Sequence, residues 1–263
     1  MKRLLPAAAI AALIAACGTP RPAAYSAPDT TAIGAPIEVR TAADLVRQAK
    51  ARHAATWYRT LTFRQTTTFF GEEGTRAETW IEALDAPGRL RIDLPEPGNG
   101  NIALYRGDST YVFRDGEQVV ARAGGNPLLT LGFDLYFLPT VETLGHMAAA
   151  GIDTTQIGTG TWAGRPAWIV GDDGGDATTP QVWYDRERLV FVRLILNEGE
   201  AVTDIRFEQY AEFAGGWIAP RVEIYTNGEL VMTEDYHDMR AGVDLPPGTF
   251  SPVSGPAVRW WGE

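Results

Sequence analysis

The stretch RLRIDL, residues 89–94, decides the fold class of this chain. Leu90, Ile92 and Leu94 alternate with polar residues, and a period of two is typical of a strand with one buried face. The same alternation recurs in other segments of the chain: 61–64, 111–113, 205–208 and 221–224. Because most of the chain repeats this pattern, the sequence predicts an antiparallel meander.

The residues at the ends of these elements agree with that prediction. Asp115-Gly116 and Asn227-Gly228 lie where two-residue hairpin turns need positive φ angles, which Asn, Asp and Gly adopt readily. Before the first strand, Thr41 followed by Asp44 has the spacing of a capping box. We therefore expect one helix ahead of the meander and tight hairpins within it.

One apolar segment interrupts the meander. Asn126-Pro127 is a typical helix start, and residues 128–138 after it are apolar on most sides. Pro139-Thr140 starts a second short helix, which Gly151 ends. Such a pair either fills one face of the sheet as ordinary core or forms a lid over a cavity. The residues alone favour ordinary core, because most apolar helices are core.

The N-terminus has the pattern of an export signal. Lys2 and Arg3 precede the uncharged residues 4–16, which as a helix would span only about 20 Å of a hydrocarbon layer roughly 30 Å thick. Residues 14–17, IAAC, resemble a bacterial lipobox, whose cysteine receives a diacylglycerol and becomes the first residue after cleavage. Cys17, the only cysteine, is therefore the predicted lipidation site, after a signal peptide at residues 1–16. Gly18 follows Cys17, whereas the inner-membrane retention signal of enteric bacteria would place an aspartate there. The sequence therefore favours the outer membrane.

The net charge of the processed chain excludes one class of partner. Residues 1–16 contain two of the 23 basic residues and none of the 33 acidic ones, so the processed chain has 21 positive and 33 negative charges, a formal charge of −12. Such a surface repels nucleic acid.

Residues 17–38 are rich in Pro, Ala, Thr and Ser and predict a flexible tether from the lipid. We expect one domain over residues 39–253, followed by a C-terminal tail at 254–263.

The sequence lacks the common motifs of catalysis. It contains no G-x-S-x-G, H-E-x-x-H or G-x-x-x-x-G-K motif. His53 and His146 lie in predicted helices, where packing or surface roles are expected. Asp235 and His237 would share one strand face and could bind a metal, but a solvated acidic edge at 234–239 is the favoured interpretation. The aspartates of 171–179 lie in a glycine-rich loop that lacks the spacing of a calcium-binding loop. We therefore expect no enzymatic activity, no cofactor and no metal.

Three stretches of the sequence fall at particular places in the predicted order of elements: TWIEALDAPGRLRIDL at 79–94, LYRGDSTYVFRDGEQV at 104–119 and LPPGTFSPV at 245–253. These stretches and the order of elements resemble the LolA and LolB-like superfamily of periplasmic lipoprotein carriers. The resemblance implies an α+β fold that is mainly antiparallel: a strongly curved, incomplete β-barrel with an N-terminal helix and an inserted lid-like helix pair. It also implies that the concave apolar face of this half-barrel holds acyl chains, of lipoproteins or of another apolar ligand.

Two positions depart from that family. Its soluble carriers have an arginine before the hairpin proline that latches the lid, whereas Ala86 precedes Pro87 here. Its anchored acceptors expose an apolar residue on a loop between early strands, whereas the loop at 95–101, PEPGNGN, is polar. The resemblance therefore assigns neither a latch nor a membrane-inserting loop to this chain.

The segment LVFVRLIL, residues 189–196, predicts which side chains line the concave face. An arginine is rarely buried unpaired, so Arg193 should face the convex side or a covered edge. Leu189, Phe191 and Ile195 share its parity and should face the same way. The alternate positions then line the cavity together with one face of the other strands and with the lid. The predicted cavity residues are Leu61, Phe63, Leu90, Ile92, Leu131, Leu135, Val190, Val192, Leu194, Leu196, Ile205, Phe207, Val222 and Ile224.

The leading hypothesis is a lipid-anchored envelope protein that faces the periplasm, is held to the membrane by the lipid on Cys17, and binds an apolar ligand during lipoprotein or lipid trafficking to the outer membrane. One alternative is an envelope-stress sensor with a related half-barrel, resembling the RseB group. Another is a structural lipoprotein whose barrel holds only its own side chains. Trp260 and Trp261, at the polar C-terminus, either enter the membrane interface or pack back on the domain.

Overall fold

The computed structural model describes residues 38–261 apart from 73, 175 and 200. The predicted signal peptide, the predicted lipidation site Cys17 and the tether as far as residue 37 lie outside the described residues. Within the described part of the chain, no helix is both long enough and apolar enough to cross a membrane.

The described strands form one large antiparallel sheet and one small separate hairpin. The strands of the large sheet are β1 (Thr60–Gly71), β2 (Gly74–Asp85), β3 (Arg89–Asp93), β4 (Ile102–Arg106), β5 (Ser109–Arg114), β6 (Glu117–Ala123), β7 (Ile157–Trp162), β8 (Arg165–Val170), β9 (Gln181–Asp185), β10 (Phe191–Asn197), β11 (Val202–Glu208), β14 (Arg221–Thr226) and β15 (Glu229–Ala241). The hairpin pairs β12 (Ala211–Phe213) with β13 (Gly216–Ile218). Across the large sheet the order is β6-β5-β4-β3-β2-β1-β15-β14-β11-β10-β9-β8-β7. The predicted meander is confirmed, and pairing of β1 with β15 joins its two halves.

The large sheet is curved, and within the described residues it stays open, with β6 and β7 as its two edges. The pairs β1–β15, β14–β15, β9–β10 and β5–β6 each contain a bulge or register shift. An extra residue on one strand bends that strand and increases its twist, so these shifts account for part of the curvature. The predicted α+β class, mainly antiparallel, is confirmed.

The predicted N-terminal helix is α1 (Ala42–His53), and it begins with the predicted capping box. The Thr41 hydroxyl accepts a hydrogen bond from the backbone N–H of Asp44, and the Asp44 carboxylate accepts one from the backbone N–H of Thr41. At the other end of α1, the His53 ring is buried and its Nε2 lies 2.7 Å from the carbonyl oxygen of Arg188. His53 therefore has the packing role expected of it.

The first helix of the predicted pair is not a regular α-helix. It consists of a π turn (Leu129–Phe133) and a 3₁₀ turn (Asp134–Tyr136), followed by α2 (Thr140–Ala149). The Asn126 side chain accepts hydrogen bonds from two backbone N–H groups of the first turn, as the predicted cap requires. The sequence of this turn contains glycine, threonine and aromatic residues of low helix propensity, so tertiary packing decides its geometry. Residues 126–138 are called the connecting segment below, because they begin the passage from edge strand β6 to edge strand β7.

Both predicted hairpin turns are confirmed. The φ angles of Asp115 and Gly116 are 50° and 82°, and those of Asn227 and Gly228 are 51° and 85°. Positive φ at both central positions is the requirement of the turn type that matches the twist of a hairpin.

The convex face of β3 is interior rather than solvated, which corrects the prediction of a half-buried strand. Arg91 is fully buried, and its guanidinium donates to the two carboxylate oxygens of Asp93 at 2.7 and 2.8 Å. It also donates to the carbonyl oxygens of Thr249 and Gly255, while Trp260 Nε1 donates to Asp93. The C-terminal residues therefore fold back over the first half of the sheet, and they satisfy a charged pair that would otherwise be costly to bury.

Candidate ligand-binding site

The side chains predicted to line a cavity lie together in one apolar core. They come from five strands, from the connecting segment and from the residue before β10, and each is at most 7% exposed. The helical elements and the sheet contribute to this same core, because Leu131 and Leu135 of the connecting segment are as deeply buried as the strand residues.

Cross-strand pairing arranges part of this core as a continuous row on the concave face. Leu194 pairs with Ile205, which pairs with Ile224. Ile224 in turn pairs with Met232, and Met232 pairs with Phe69. Directly opposite residues point to the same face, so the row crosses β10, β11, β14, β15 and β1. Met232 and Phe69 were missed in the sequence because β15 and β1 carry many polar residues.

The prediction that Phe191 faces the convex side or a partly covered edge is wrong. Its ring makes an edge-to-face contact with the ring of Phe207, with centroids 4.8 Å apart, and it lies in the core. The register between β9 and β10 shifts between Phe191 and Arg193, so strict alternation fails there. Leu189, predicted to face the same way, is buried in the same core before β10 begins.

Arg193 itself is paired, as its predicted convex position requires. Its Nε and one terminal nitrogen each donate to the carboxylate of Asp204 at 2.8 Å. The guanidinium also lies over the rings of Trp162 and Trp183, 5.4 and 5.1 Å from their centroids. Burial opposes the ionisation of Asp204, but hydrogen bonds from Arg193 and Arg206 hold its pKa below the ordinary value.

The connecting segment is attached to the second half of the sheet through two tyrosine hydroxyl groups. Tyr184 of β9 donates to the carbonyl oxygen of Leu131 at 3.1 Å. Tyr136 donates to the carbonyl oxygen of Leu189 at 3.3 Å. Both hydroxyl groups are buried, so the segment is held on the concave side by specific hydrogen bonds as well as by apolar packing.

A buried carboxyl group attaches the same segment to the first half of the sheet. Asp134 Oδ2 accepts a hydrogen bond from the backbone N–H of Gly88, in the β2–β3 hairpin, at 2.9 Å. Its Oδ1 has no hydrogen-bond partner among the described residues. Burial raises the pKa of Asp134 to about 8, the hydrogen bond from Gly88 lowers it, and the charge of Asp85 adds to the increase. A single acid in an otherwise apolar stretch was the available sequence signal for this role.

Polar side chains interrupt the apolar wall on the central strands. Gln65 and Thr67 of β1, Glu82 of β2, and Glu234 and Tyr236 of β15 occupy concave positions; together they are called the concave polar cluster. Gln65 Nε2 donates to Thr67 Oγ1 at 2.8 Å, and the Tyr236 hydroxyl donates to the Glu234 carboxylate at 3.1 Å. Burial and the charge of Glu234 raise the pKa of Glu82. Burial raises the pKa of Glu234 to about 7.

This cluster corrects the prediction of a solvated acidic edge at 234–239. Glu234 pairs with Thr67 on the concave face, whereas Asp235 points to the other face and accepts a hydrogen bond from Arg221 at 2.8 Å. His237 is exposed. Among the described residues, no three His, Cys, Asp or Glu side chains are placed to hold a metal ion. The alternation of Met232, Glu234 and Tyr236 was the signal that could have placed Glu234 inside.

No protein-family model and no curated protein matches this sequence. Solved structures match its shape. A domain from Vibrio parahaemolyticus described as an outer membrane lipoprotein-sorting protein domain has a TM-score of 0.58 at 11% identity, over 81% of this chain and 97% of that chain. A DUF1329 family protein from Desulfovibrio piger has a TM-score of 0.56 at 13% identity, over 81% and 97%. A LolA superfamily protein from Nitrosomonas europaea has a TM-score of 0.51 at 13% identity, over 82% and 99%.

The chain has a LolA-like fold. At these identities the likeness concerns the fold alone. In this LolA-like chain Ala86 stands before the hairpin proline, where the resemblance implies an arginine latch in soluble carriers. The contact between the hairpin and the connecting segment runs instead from the Gly88 backbone to Asp134.

Proposed function

We propose that this protein is a lipid-anchored carrier or receptor of the cell envelope, without enzymatic activity, that binds an acylated or other apolar ligand on its concave face. The proposal rests on the wall of apolar side chains beneath the connecting segment. The hydrogen bonds of Tyr136, Tyr184 and Asp134 hold that segment at a few points. An acyl chain that displaced Leu131 and Leu135 would replace their apolar contacts with similar ones, so the exchange has a small cost.

Two further observations support this function. The solved structures with the same fold include one described as outer membrane lipoprotein-sorting. The lipobox-like IAAC at residues 14–17 fits a lipid anchor on Cys17, and the residue after it fits an outer-membrane location facing the periplasm.

Leu194→Ala is expected to weaken binding of the neutral apolar probe N-phenyl-1-naphthylamine about tenfold, because losing contact equivalent to about two CH₂ groups, at about 0.8 kcal/mol each, corresponds to roughly that change in affinity. Ile195 is equally buried on the opposite face of the same strand, so Ile195→Ala is the matched control and should change the affinity by less than about twofold. Probe fluorescence measures both variants at a temperature where circular dichroism shows them folded. A wild-type protein that binds no probe, and that releases no ligand in native mass spectrometry after purification without detergent, contradicts the proposal and favours the structural lipoprotein.

Cys17→Ser is expected to abolish lipidation, since the serine hydroxyl cannot replace the thiol as the acceptor of the diacylglycerol. The variant should accumulate as the unprocessed precursor and incorporate no labelled palmitate. Thr19→Ser, a small change two residues further on, is the control and should be processed normally. Equal palmitate labelling of the wild type and of Cys17→Ser would show that the anchor is elsewhere.

A further inference from the structure

We propose that the concave polar cluster is a headgroup subsite for a protonated primary amine, so that the ligand is an aliphatic amphiphile with an ammonium group. This inference rests on the proposed function, because the aliphatic chain would occupy the apolar wall. The subsite then explains why the carboxyl groups of Glu82 and Glu234 lie beside the apolar wall.

The cluster has an unmet hydrogen-bond acceptor. Gln65 is fully buried, and its Nε2 donates to Thr67, while its Oε1 has no hydrogen-bond partner among the described residues. The hydrogen bond from Gln65 lowers the pKa of Glu234, so the Gln65 amide lies beside that carboxyl group. A buried acceptor without a donor costs about 1 to 3 kcal/mol, and a ligand that brings a donor removes this cost.

Strand pairing places this amide between two carboxyl groups. Glu82 pairs with Phe63 and Glu234 pairs with Thr67, and Gln65 lies midway between those two partners on β1. The charge of Glu234 reaches Glu82 and raises its pKa. The cluster thus offers two carboxyl groups and one amide oxygen, which matches the three donors of an ammonium group.

The charges around the cluster favour a cationic head over an anionic one. The concave side also holds Tyr105, whose pKa is raised by burial and then by the charges of Glu82 and Glu234, while the charge of Arg122 lowers it. The charge of Glu234 already opposes the ionisation of Glu82 and raises its pKa, so a carboxylate or phosphate head placed beside the two carboxyl groups would be repelled in the same way. An ammonium group between Glu82 and Glu234 would instead allow both to ionise.

Partly exposed side chains of the cluster give the ammonium head of the ligand a way in, and apolar side chains beside the cluster can contact its aliphatic chain. Glu234 and Tyr236 are partly exposed, whereas Gln65, Thr67 and Glu82 are buried. Phe69, Met232 and Trp80 are apolar neighbours on the same face: Phe69 pairs with Met232, and Gln65 pairs with Trp80. An amphiphile can therefore enter past Glu234 with its chain along these side chains.

The test compares three twelve-carbon competitors that displace N-phenyl-1-naphthylamine: dodecylamine, 1-dodecanol and dodecanoate, each below its micelle concentration. Wild-type protein should bind dodecylamine at least tenfold more tightly than 1-dodecanol, and dodecanoate most weakly. Glu234→Gln and Glu82→Gln should each reduce the preference for the amine to less than threefold. Their affinities for 1-dodecanol should stay within twofold of the wild type.

The matched control removes the same charge from the surface. Glu117 and Glu229 are exposed on hairpins, and Glu117→Gln and Glu229→Gln should keep the full preference for the amine. A preference lost equally in these controls would assign it to the overall negative charge and overturn the subsite. Equal wild-type affinities for dodecylamine and 1-dodecanol also overturn the subsite and leave the proposed function standing. Failure of all three competitors and of the probe to bind overturns the proposed function itself.

Discussion

Arg91→Met is expected to lower the free energy of unfolding by about 3 to 5 kcal/mol, the usual loss when one member of a buried ion pair is removed. The change leaves the buried Asp93 carboxyl group without its guanidinium partner, while Trp260 Nε1 still donates a hydrogen bond to it. It also removes the donor to the carbonyl oxygens of Thr249 and Gly255. Urea denaturation followed by tryptophan fluorescence measures the loss, and the emission of Trp260 and Trp261 should shift to the red if the C-terminal residues detach.

Two companion variants separate the buried charge from general damage. Arg89 lies on the same strand and pairs with Asp85, but its side chain is 49% exposed. Arg89→Met should therefore lower the free energy of unfolding by less than about 1 kcal/mol. The double variant Arg91→Met with Asp93→Leu removes both charges and should be more stable than Arg91→Met alone. Equal losses from Arg89→Met and Arg91→Met would contradict a buried Arg91–Asp93 pair.

Asp134→Asn is expected to stabilise the protein at alkaline pH. The pKa of Asp134 is raised to about 8 in the folded state, against an unfolded value of about 3.9, so the folded state binds more protons between these values. The free energy of unfolding of the wild type therefore falls as the pH rises from about 4 to about 8. Asparagine cannot ionise and keeps an oxygen for the Gly88 N–H, so its advantage in the free energy of unfolding should grow by about 3.5 kcal/mol between pH 5 and pH 8.

Urea denaturation of both proteins at pH 5, 6, 7 and 8 tests this expectation. Glu82 and Glu234 also have raised pKa values, but they are present in both proteins, so the difference between the two curves isolates Asp134. Asp115→Asn is the control, because this exposed turn residue has a positive φ angle that asparagine also adopts. A difference between wild type and Asp134→Asn that does not change with pH would show that Asp134 is ionised in the folded protein throughout.

The two largest expected effects concern Arg91 and Asp134. In both cases the neighbouring residues in the sequence do not predict that the side chain is buried. Arg91 lies in an alternating strand, where a charged residue normally faces solvent. Its burial depends on residues 249–261, which are far away in the sequence. Asp134 lies in the connecting segment, and its partner Gly88 is in a hairpin 46 residues earlier.

The sequence by itself determined what local physical chemistry controls. The period of two placed the strands, the Thr41–Asp44 spacing placed the start of α1, and the two hairpin dipeptides placed their turns. The alternation also brought the predicted concave side chains into one core, because every second residue of a regular strand points to the same face.

Only the tertiary structure decided the points where that regularity fails or where distant segments meet. The register shift in β10 turned Phe191 inward, since its position depends on the pairing partner and not on the strand alone. The pairing of β1 with β15 placed Glu234 and Tyr236 of the concave polar cluster beside Gln65 and Thr67, and the return of the C-terminus buried Arg91. These contacts join residues far apart in the sequence, and their free energy comes from packing and desolvation that no local pattern records.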